Sequence, residues 1–457
     1  MSEAVIVGAG VAGLSAAYRL AADGWDVTVV EIEEKVGGLA KSFYYNGYAF
    51  DVGPHRFHTD DKKVEEFILQ VLDEDRIIID RSSAVWFFNQ YHEWPLKRST
   101  IFKLPFKVMF GAAIDLFRKK AAKDDTFQEY ILGLYGKTLF DHFFKDYTEK
   151  FLMHECDKLH ADWASAGINR AVIDKRVKAN SLTQVIKSTL FPKPVNSRFI
   201  YPKSGGVGVY SERLVKLIEK ESGKVLTRSK VTDVSTNENT IAGLTISRLD
   251  SGKQQTLHPD LIIWTAPAQV IGNMLEMPEW NLTFLDSVMY NVEMEGKPPM
   301  PYQWIYYGSK DFLINRVSIP ANFGIHTAPE GKNGTCCELC SINDDSTWQN
   351  PEALSDRVVD DLLRARLIRN KDEVHNVHIE KIRNSYPIYT IDYRKKLFQA
   401  MSDLGKYNNL LLLGRTGTFW YNNMDHSIRM ALDLADVITQ GGDLDGWRNH
   451  VMENRDL

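Results

Sequence analysis

The run AVIVGAGVAGLSAAYRLAADGWDVTVVE, ending at Glu31, admits few folds. Ala4 to Gly8 has the uninterrupted apolar character of a buried strand, and the following residues keep a helical apolar period as far as Gly24. Trp25 to Glu31 then reads as a second strand, parallel to the first, so the order is β-α-β. Gly8, Gly10 and Gly13 fall at the first turn, and Glu31 closes the second strand, at about the 20-residue interval that a dinucleotide site requires. Each glycine has its own reason. Gly8 permits the tight turn, Gly10 lets backbone amides approach a pyrophosphate, and Gly13 lets helix and strand pack closely. The helix N-terminus favours phosphate, and Glu31 can accept ribose hydroxyls. An adenine dinucleotide is expected here.

The continuation EKVGGLAKSFYYNGYAFDVGPHRFHT resembles that of FAD proteins of the glutathione-reductase-like and amine-oxidase-like superfamily, in which a Gly-Gly pair, here Gly37 and Gly38, follows the ribose carboxylate. FAD is therefore the expected cofactor.

Charge and cysteine usage narrow the class. Lys plus Arg number 55 against 60 Asp plus Glu, a net charge of −5, so no global basic field points to nucleic acid. Cys337 and Cys340 make a C-x-x-C, but no second pair or histidine spacing completes a metal site, and Cys156, Cys336, Cys337 and Cys340 are expected as reduced thiols, the last three on a strand. The N-terminus lacks the pattern of a signal peptide, and no apolar run reaches about 18 residues. A cytoplasmic protein without a transmembrane segment is expected. The basic and apolar stretch from Pro95 to Lys120 reads as a helix over a cavity, with peripheral membrane contact the lesser alternative.

Along the chain, residues 62–187 are read as mainly helical, with TFQEYILGLYGKTLFDHFFKDYTEK the clearest case. FIYPKSGGVGVYSERLVKLIE sets a glycine-rich turn before a helix, KVLTRSKVTDVS and DLIIWTAPA return to strands, and Pro298 to Val317 is β again. A helix over Glu352 to Asn370 and a strand pair precede the closing LLLLGRTG. The fold class is α/β with α+β inserts. A Rossmann-type FAD-binding domain is assembled from 1–60, 200–265 and 405–440, a helical substrate lobe occupies 61–195, and an antiparallel-sheet substrate domain with a helix occupies 266–404.

From end to end the chain resembles the UDP-galactopyranose mutases, flavoproteins that interconvert pyranose and furanose nucleotide sugars. DVGPHRFHTDDKKVEEF is similar to the mutase segment that brings a histidine, here His55, near the flavin. WIYY and INRV resemble the strand pair carrying a tyrosine and a phosphate-binding arginine, here Tyr306 and Arg316 beside Trp304. SYPIYT presents Tyr386, and GRTGTFWYNNMDHSI resembles the mutase terminus with Arg415, Tyr421, Asn423 and Asp425. The resemblance implies catalytic roles for His55, Arg316, Tyr386 and Tyr421. It further implies cofactor contacts from Gly38, Leu39, Val231, Arg415, Asp425 and Ser427, and substrate contacts from Trp304, Tyr306, Asn423 and Arg170. The helix starting near Asp425 would aim its amides at the flavin, with Phe419 and Trp420 packing the turn.

A diphosphate buried beside a flavin needs permanent cations and neutral donors, which arginine and tyrosine supply. The implied reaction has no net redox change. Reduced FAD, primed by NAD(P)H or another reductant, would attack the anomeric carbon through N5, and the sugar would open and reclose on that adduct. Cell-surface polysaccharide biosynthesis is the implied setting. The chain departs from the mutase pattern on the base side, with Leu152 where a tryptophan is usual, Leu96 and Lys97 where an aromatic and an amide are common, and either Gly167 or Arg170 at an expected arginine. The base and sugar are therefore open. The alternatives are an FAD-dependent oxidase or dehydrogenase of the amine-oxidase or protoporphyrinogen-oxidase type, and a non-catalytic FAD-bearing scaffold.

Overall fold

A computed structural model describes residues 2–94, 104–117, 125–164, 198–324 and 326–453. Five parallel strands form the first sheet, in the order Leu410–Leu412, Leu261–Trp264, Glu3–Val7, Asp26–Val30 and Lys224–Leu226. These strands come from both ends of the chain and from its middle. Because successive side chains of a strand point to opposite faces, Ala4 and Ile6 join one apolar cluster and Val5 and Val7 another. The first cluster is shared with the helices Val11–Ala22, Val209–Lys220 and Met424–Thr439. The second is capped by a three-stranded sheet of Ser229–Asn237, Thr240–Arg248 and Gln254–Leu257.

A second sheet has seven strands, in the order Val374–Pro387, Phe284–Glu295, Lys332–Ser341, Arg316–Ser318, Trp304–Tyr307, Ser83–Phe87 and Gln90–Glu93. All neighbours are antiparallel except Trp304–Tyr307 with Ser83–Phe87. Residues assigned to the helical lobe therefore contribute strands. Arg76–Asp80 pairs with Arg198–Pro202, and 83–93 completes the edge of the large sheet. The reason is local: RIIID and SAVWF are β-branched and aromatic, and their partners lie far along the chain. The expected helix at 352–370 is shorter, Ser355–Arg364 behind a 3-10 turn at Pro351–Leu354. One long strand and the helix Tyr393–Leu404 follow it in place of a strand pair.

The helices Phe106–Phe117, Phe127–Leu139 and Lys145–Leu152 form the helical part. Thr126 caps the second by accepting from Glu129 N at 3.1 Å. Phe127, Phe151 and Trp163 pack in one cluster with Tyr386, Tyr389 and Phe419, which ties these helices to the large sheet and to the last turn of the parallel one. No helix among the described residues is long and apolar enough to cross a membrane. Pro95–Lys103 and Arg170 lie outside the described residues.

Candidate active site

The nucleotide end is built from backbone. Gly8 has φ +105 and its amide donates to Val30 O at 2.8 Å, and a Cβ at Gly13 would overlap Gly8 O, so the helix starts in contact with the strand end. Gly10 is the N-cap residue of the helix and bridges Gly37, and Gly38 lies against it, with a Cβ at Gly38 only 3.2 Å from Gly10 Cα. Ala9 N donates to Glu31 Oε2 at 2.7 Å and Glu33 N to Oε1 at 2.9 Å. These bonds fix the carboxylate at the strand end and leave lone pairs for hydroxyl donors. Burial raises the Glu31 carboxyl, against the pull of both amides. Leu39 packs on the Phe43 and Phe50 cluster, and Val231 is buried beside Val5, Val7 and Val30.

The loop carrying His55 is held by a buried network. Asp51 accepts from Ser42 Oγ at 2.6 Å, Tyr201 Oη at 2.6 Å and Val207 N at 2.9 Å. Burial nonetheless pushes the Asp51 carboxyl up to about 6. The YPKSGG turn is thereby fastened to the hairpin of 42–51, and a Cβ on Gly206 would collide with Asp51. Gly53, at φ +74, lets the chain pass close to Arg316, where a Cβ would lie 2.9 Å from Nη2.

The substrate side is a rung across the large sheet. Tyr306 is in register with Arg316, and Arg316 with Glu338, so the three side chains share one face. Arg316 Nη2 lies 2.6 Å from Glu338 Oε2 and donates to Tyr386 Oη at 2.9 Å, and Tyr386 Oη donates to Glu338 Oε1 at 2.9 Å. Burial works against the Arg316 charge, and Glu338 together with Tyr386, Tyr306 and Tyr421 outweighs it and holds the guanidinium protonated. Burial likewise raises the phenols of Tyr386 and Tyr147, which stay neutral donors. Tyr147 meets the Tyr306 ring edge-on at 6.0 Å. From the same helix Lys150 Nζ donates to the carbonyls of Tyr307, Ser309 and Ile314 at 2.9, 3.1 and 2.7 Å, clasping the connection between Tyr306 and Arg316.

The closing turn supplies Arg415. Its Nη1 donates to Ser385 O at 3.0 Å, its Nε to Asn422 O at 3.2 Å, and its Nη2 also to Asn422 O. Its Cζ stands 5.7 Å from the Tyr386 ring and 5.0 Å from the Tyr421 ring. Tyr421 stacks on Trp163 at 5.3 Å, and its amide donates to Tyr389 Oη at 2.8 Å. Phe419 and Trp420 are buried in the turn as expected. The helix begins at Met424, capped by Asn423 in a box with His426. Burial acts to raise the Asp425 carboxyl, but His426, 3.1 Å away, overrides it and holds it low. Ser427 Oγ donates to Asn422 Oδ1 at 3.1 Å.

His55 stands in the field of Arg415, Arg316 and Arg56, and burial followed by these cations pushes its imidazole down to about 3. The ring is therefore neutral at pH 7. The structure thus brings His55, Tyr306, Arg316, Tyr386, Arg415 and Tyr421 together. Trp304 is only 1% exposed and reaches the site through the arginines stacked on it. Two site residues escaped the sequence reading. Glu338 was signalled only as a lone acid within TCCELC, and Arg56 only by its place next to His55 in GPHRFHT. Cys336, Cys337 and Cys340 are buried in the strand Lys332–Ser341, and burial pushes the Cys336 thiol up to about 12, the state of an inert thiol.

Comparison with known proteins agrees with this architecture. The family model described as flavin-containing amine oxidoreductase matches residues 11–412. A crystal structure of reduced UDP-galactopyranose mutase superposes with a TM-score of 0.83 at 19% identity, covering 100% of this chain and 98% of that one. An oxidoreductase from Methanosarcina mazei gives 0.62 at 15% identity over 95% and 100%, and putrescine oxidase bound to putrescine 0.61 at 14% over 96% and 99%. At these identities the shared property is the fold. Sequence relatives match short segments. The L-amino acid oxidase Cdc18 of Crotalus durissus cumanensis is 39% identical over 84 residues, 18% of this chain and 17% of that protein. A 4,4'-diapophytoene desaturase of Staphylococcus haemolyticus is 55% identical over 49 residues, 11% of this chain and 10% of that protein. The chain thus spans about a sixth or less of the length of these curated relatives. The glycine cradle, closed to side chains at Gly8 and Gly13, and a Glu31 carboxylate with lone pairs to spare fit the nucleotide half of a flavin dinucleotide. With the family model spanning most of its length, the chain belongs to the flavin-containing amine oxidoreductases and has the fold seen in UDP-galactopyranose mutase.

Proposed function

We propose that this protein is an FAD-dependent nucleotide-sugar mutase, interconverting pyranose and furanose forms of a UDP sugar or another nucleoside-diphosphate sugar without net redox change. One observation carries the reading. Arg316 and Arg415 converge with Tyr306, Tyr386 and Tyr421 as one wall of side chains, and Arg415 meets no carboxylate among the described residues. Such a wall suits a diphosphate, because guanidinium forks and neutral phenols stabilise anionic oxygens where water is excluded.

Reduced flavin, when bound, supplies a nucleophile for the anomeric carbon. The residues of the chain do the rest. Arg415, Tyr421 and Tyr386 hold the departed diphosphate in place so that it can return, and Arg316 adds positive charge whose direction Glu338 fixes. Neutral His55, with Nδ1 unpartnered among the described residues, orients a donor without adding charge. The N-terminal amides of the helix Met424–Thr439 favour the anionic reduced state of the cofactor. NAD(P)H or another reductant primes the protein, and a cytoplasmic nucleotide sugar is the partner.

The test is a panel of nucleotide sugars incubated anaerobically with dithionite-reduced and with oxidised protein. Only the reduced protein is expected to interconvert pyranose and furanose forms, with no stoichiometric NAD(P)H use. Turnover by the oxidised form with accumulating hydrogen peroxide overturns the reading. It would favour an oxidase, the alternative supported by the aromatic lining of Tyr147, Phe151, Trp163, Tyr306 and Tyr421.

A further inference from the structure

The connection that joins Tyr306 to Arg316 is gripped through its carbonyls by one helix and through its amides by another. Lys150, on Lys145–Leu152, donates to the carbonyls of Tyr307, Ser309 and Ile314 at 2.9, 3.1 and 2.7 Å. Asp361, on Ser355–Arg364, accepts from the amides of Leu313 and Ile314 at 2.5 and 3.2 Å. Lys310 of the connection reaches back to Glu149 at 2.8 Å and Asp146 at 3.5 Å on the first helix. Tyr307 follows Tyr306 directly and Ile314 stands two residues before Arg316, so the Lys150 bonds act on both strand ends next to the wall. Tyr147, one helical turn before Lys150, meets the Tyr306 ring edge-on.

The number of donors decides what this clasp can do. An ammonium has three N–H groups, and the three carbonyls use all of them; a neutral amine keeps two. Loss of the proton therefore frees one carbonyl of the connection and weakens the remaining bonds, which are no longer charge-assisted. Burial pushes the Lys150 ammonium down to about 8. Asp361, Asp311 of the connection and Cys340 of the strand Lys332–Ser341 favour its proton, and Arg364 opposes it. Burial holds the Cys340 thiol itself well above its ordinary range, and Glu149 and Asp146 are engaged by Lys310. On the wall, Arg316, Tyr386 and Tyr147 are pushed up and His55 is pushed down, so none of these four changes charge between pH 7 and 9.

We infer that Lys150 is a positioning residue for the substrate wall: its ammonium, through three carbonyls, holds Tyr306 and Arg316 in place for an anionic ligand, and loss of its proton loosens the wall's hold on that ligand. This rests on the diphosphate part of the proposed function and adds a regulation of the same site. The experiment is calorimetric titration of UDP into oxidised, flavin-loaded protein at pH 7 and pH 9, with dTDP as a check on the base. Wild type is expected to bind about tenfold more weakly at pH 9 than at pH 7, the factor by which a group titrating at about 8 loses its proton over that span. Lys150→Arg keeps a charged donor throughout and should show no such fall. Lys150→Met keeps the stem without the donors and should bind UDP weakly, with the same affinity at both pH values. Flavin content, read by absorbance, reports folding, and if Lys150→Met does not retain flavin the contrast between wild type and Lys150→Arg decides. A wild-type affinity that does not change with pH overturns the inference. So does a fall of equal size in Lys150→Arg, which would place the titrating group elsewhere, or a folded Lys150→Met that binds like wild type. If neither UDP nor dTDP binds at pH 7, the diphosphate reading falls and this inference with it, whereas UDP bound equally at both pH values sinks this inference alone.

Discussion

The nucleotide cradle and the substrate wall stabilise negative charge by opposite means. In the cradle the donors are backbone amides at a helix start, and side chains are excluded, as at Gly8 and Gly13, because the chain must touch itself. Glu31 contributes the carboxylate, and two amides fix it. In the wall the donors are long side chains from separate strands, aligned by register and held by one another. A backbone site is hard to detune by one polar substitution, whereas a wall of coupled side chains fails when one member is removed.

Glu338→Ala is the strongest way to break the wall. It leaves the Arg316 guanidinium, whose side chain is 13% exposed, without its partner. The expected loss is about 3–5 kcal/mol in urea unfolding, because an uncompensated buried charge remains. Adding Arg316→Met should recover much of it. A single variant as stable as wild type would show that the two residues do not act as a pair.

Two buried groups sharpen the comparison through pH. His55 has its folded pKa pushed down to about 3, so the folded protein binds fewer protons than the unfolded chain. Its contribution is present above the ordinary histidine range and is lost as pH falls from about 6.5 toward 3. Asp51 is pushed up to about 6, so the folded state binds more protons than the unfolded one. Its contribution is present below about 4 and is lost as pH rises through 6, roughly 3 kcal/mol in all. The opposing slopes partly cancel between pH 4 and 6. Unfolding free energies over pH 4–7 should fall more steeply with acid in Asp51→Asn and instead rise with acid in His55→Gln. Parallel profiles for wild type and both variants would refute the assignment.

The same division explains what could be read from the sequence. Gly8, Gly10, Gly13 and Glu31 stand within one continuous β-α-β unit, so their chemistry is a matter of spacing. Tyr306, Arg316, Tyr386, Arg415 and Tyr421 were reached through resemblance, and their meeting place depends on sheet order. Glu338 was not reached because its role exists only in the pairing of Arg316–Ser318 with Lys332–Ser341, and strand register is not written in either segment alone. Ser83–Phe87 was placed in the helical lobe for the same reason, its partner being Trp304–Tyr307. A lone acid in an apolar strand run was the available signal for Glu338, since such acids are seldom buried unless paired.

The smallest effect expected tests the cradle directly. Gly13→Ala places a methyl against Gly8 O, backbone that cannot swing aside, so the helix start must move away from the strand end. Overpacking of this kind costs about 1–3 kcal/mol. Gly24→Ala is the matched control. At φ +85 it meets nothing within 4 Å, so it carries only the strain of a left-handed alanine, about 1–2 kcal/mol. The two variants should therefore unfold at similar denaturant concentrations when stripped of cofactor and differ in flavin retention. Gly13→Ala should lose flavin on gel filtration and Gly24→Ala should keep it, both read from absorbance near the flavin band. Equal retention would mean that the close approach at Gly13 serves packing alone, and the cradle would lose its claim to be a backbone-built anion site.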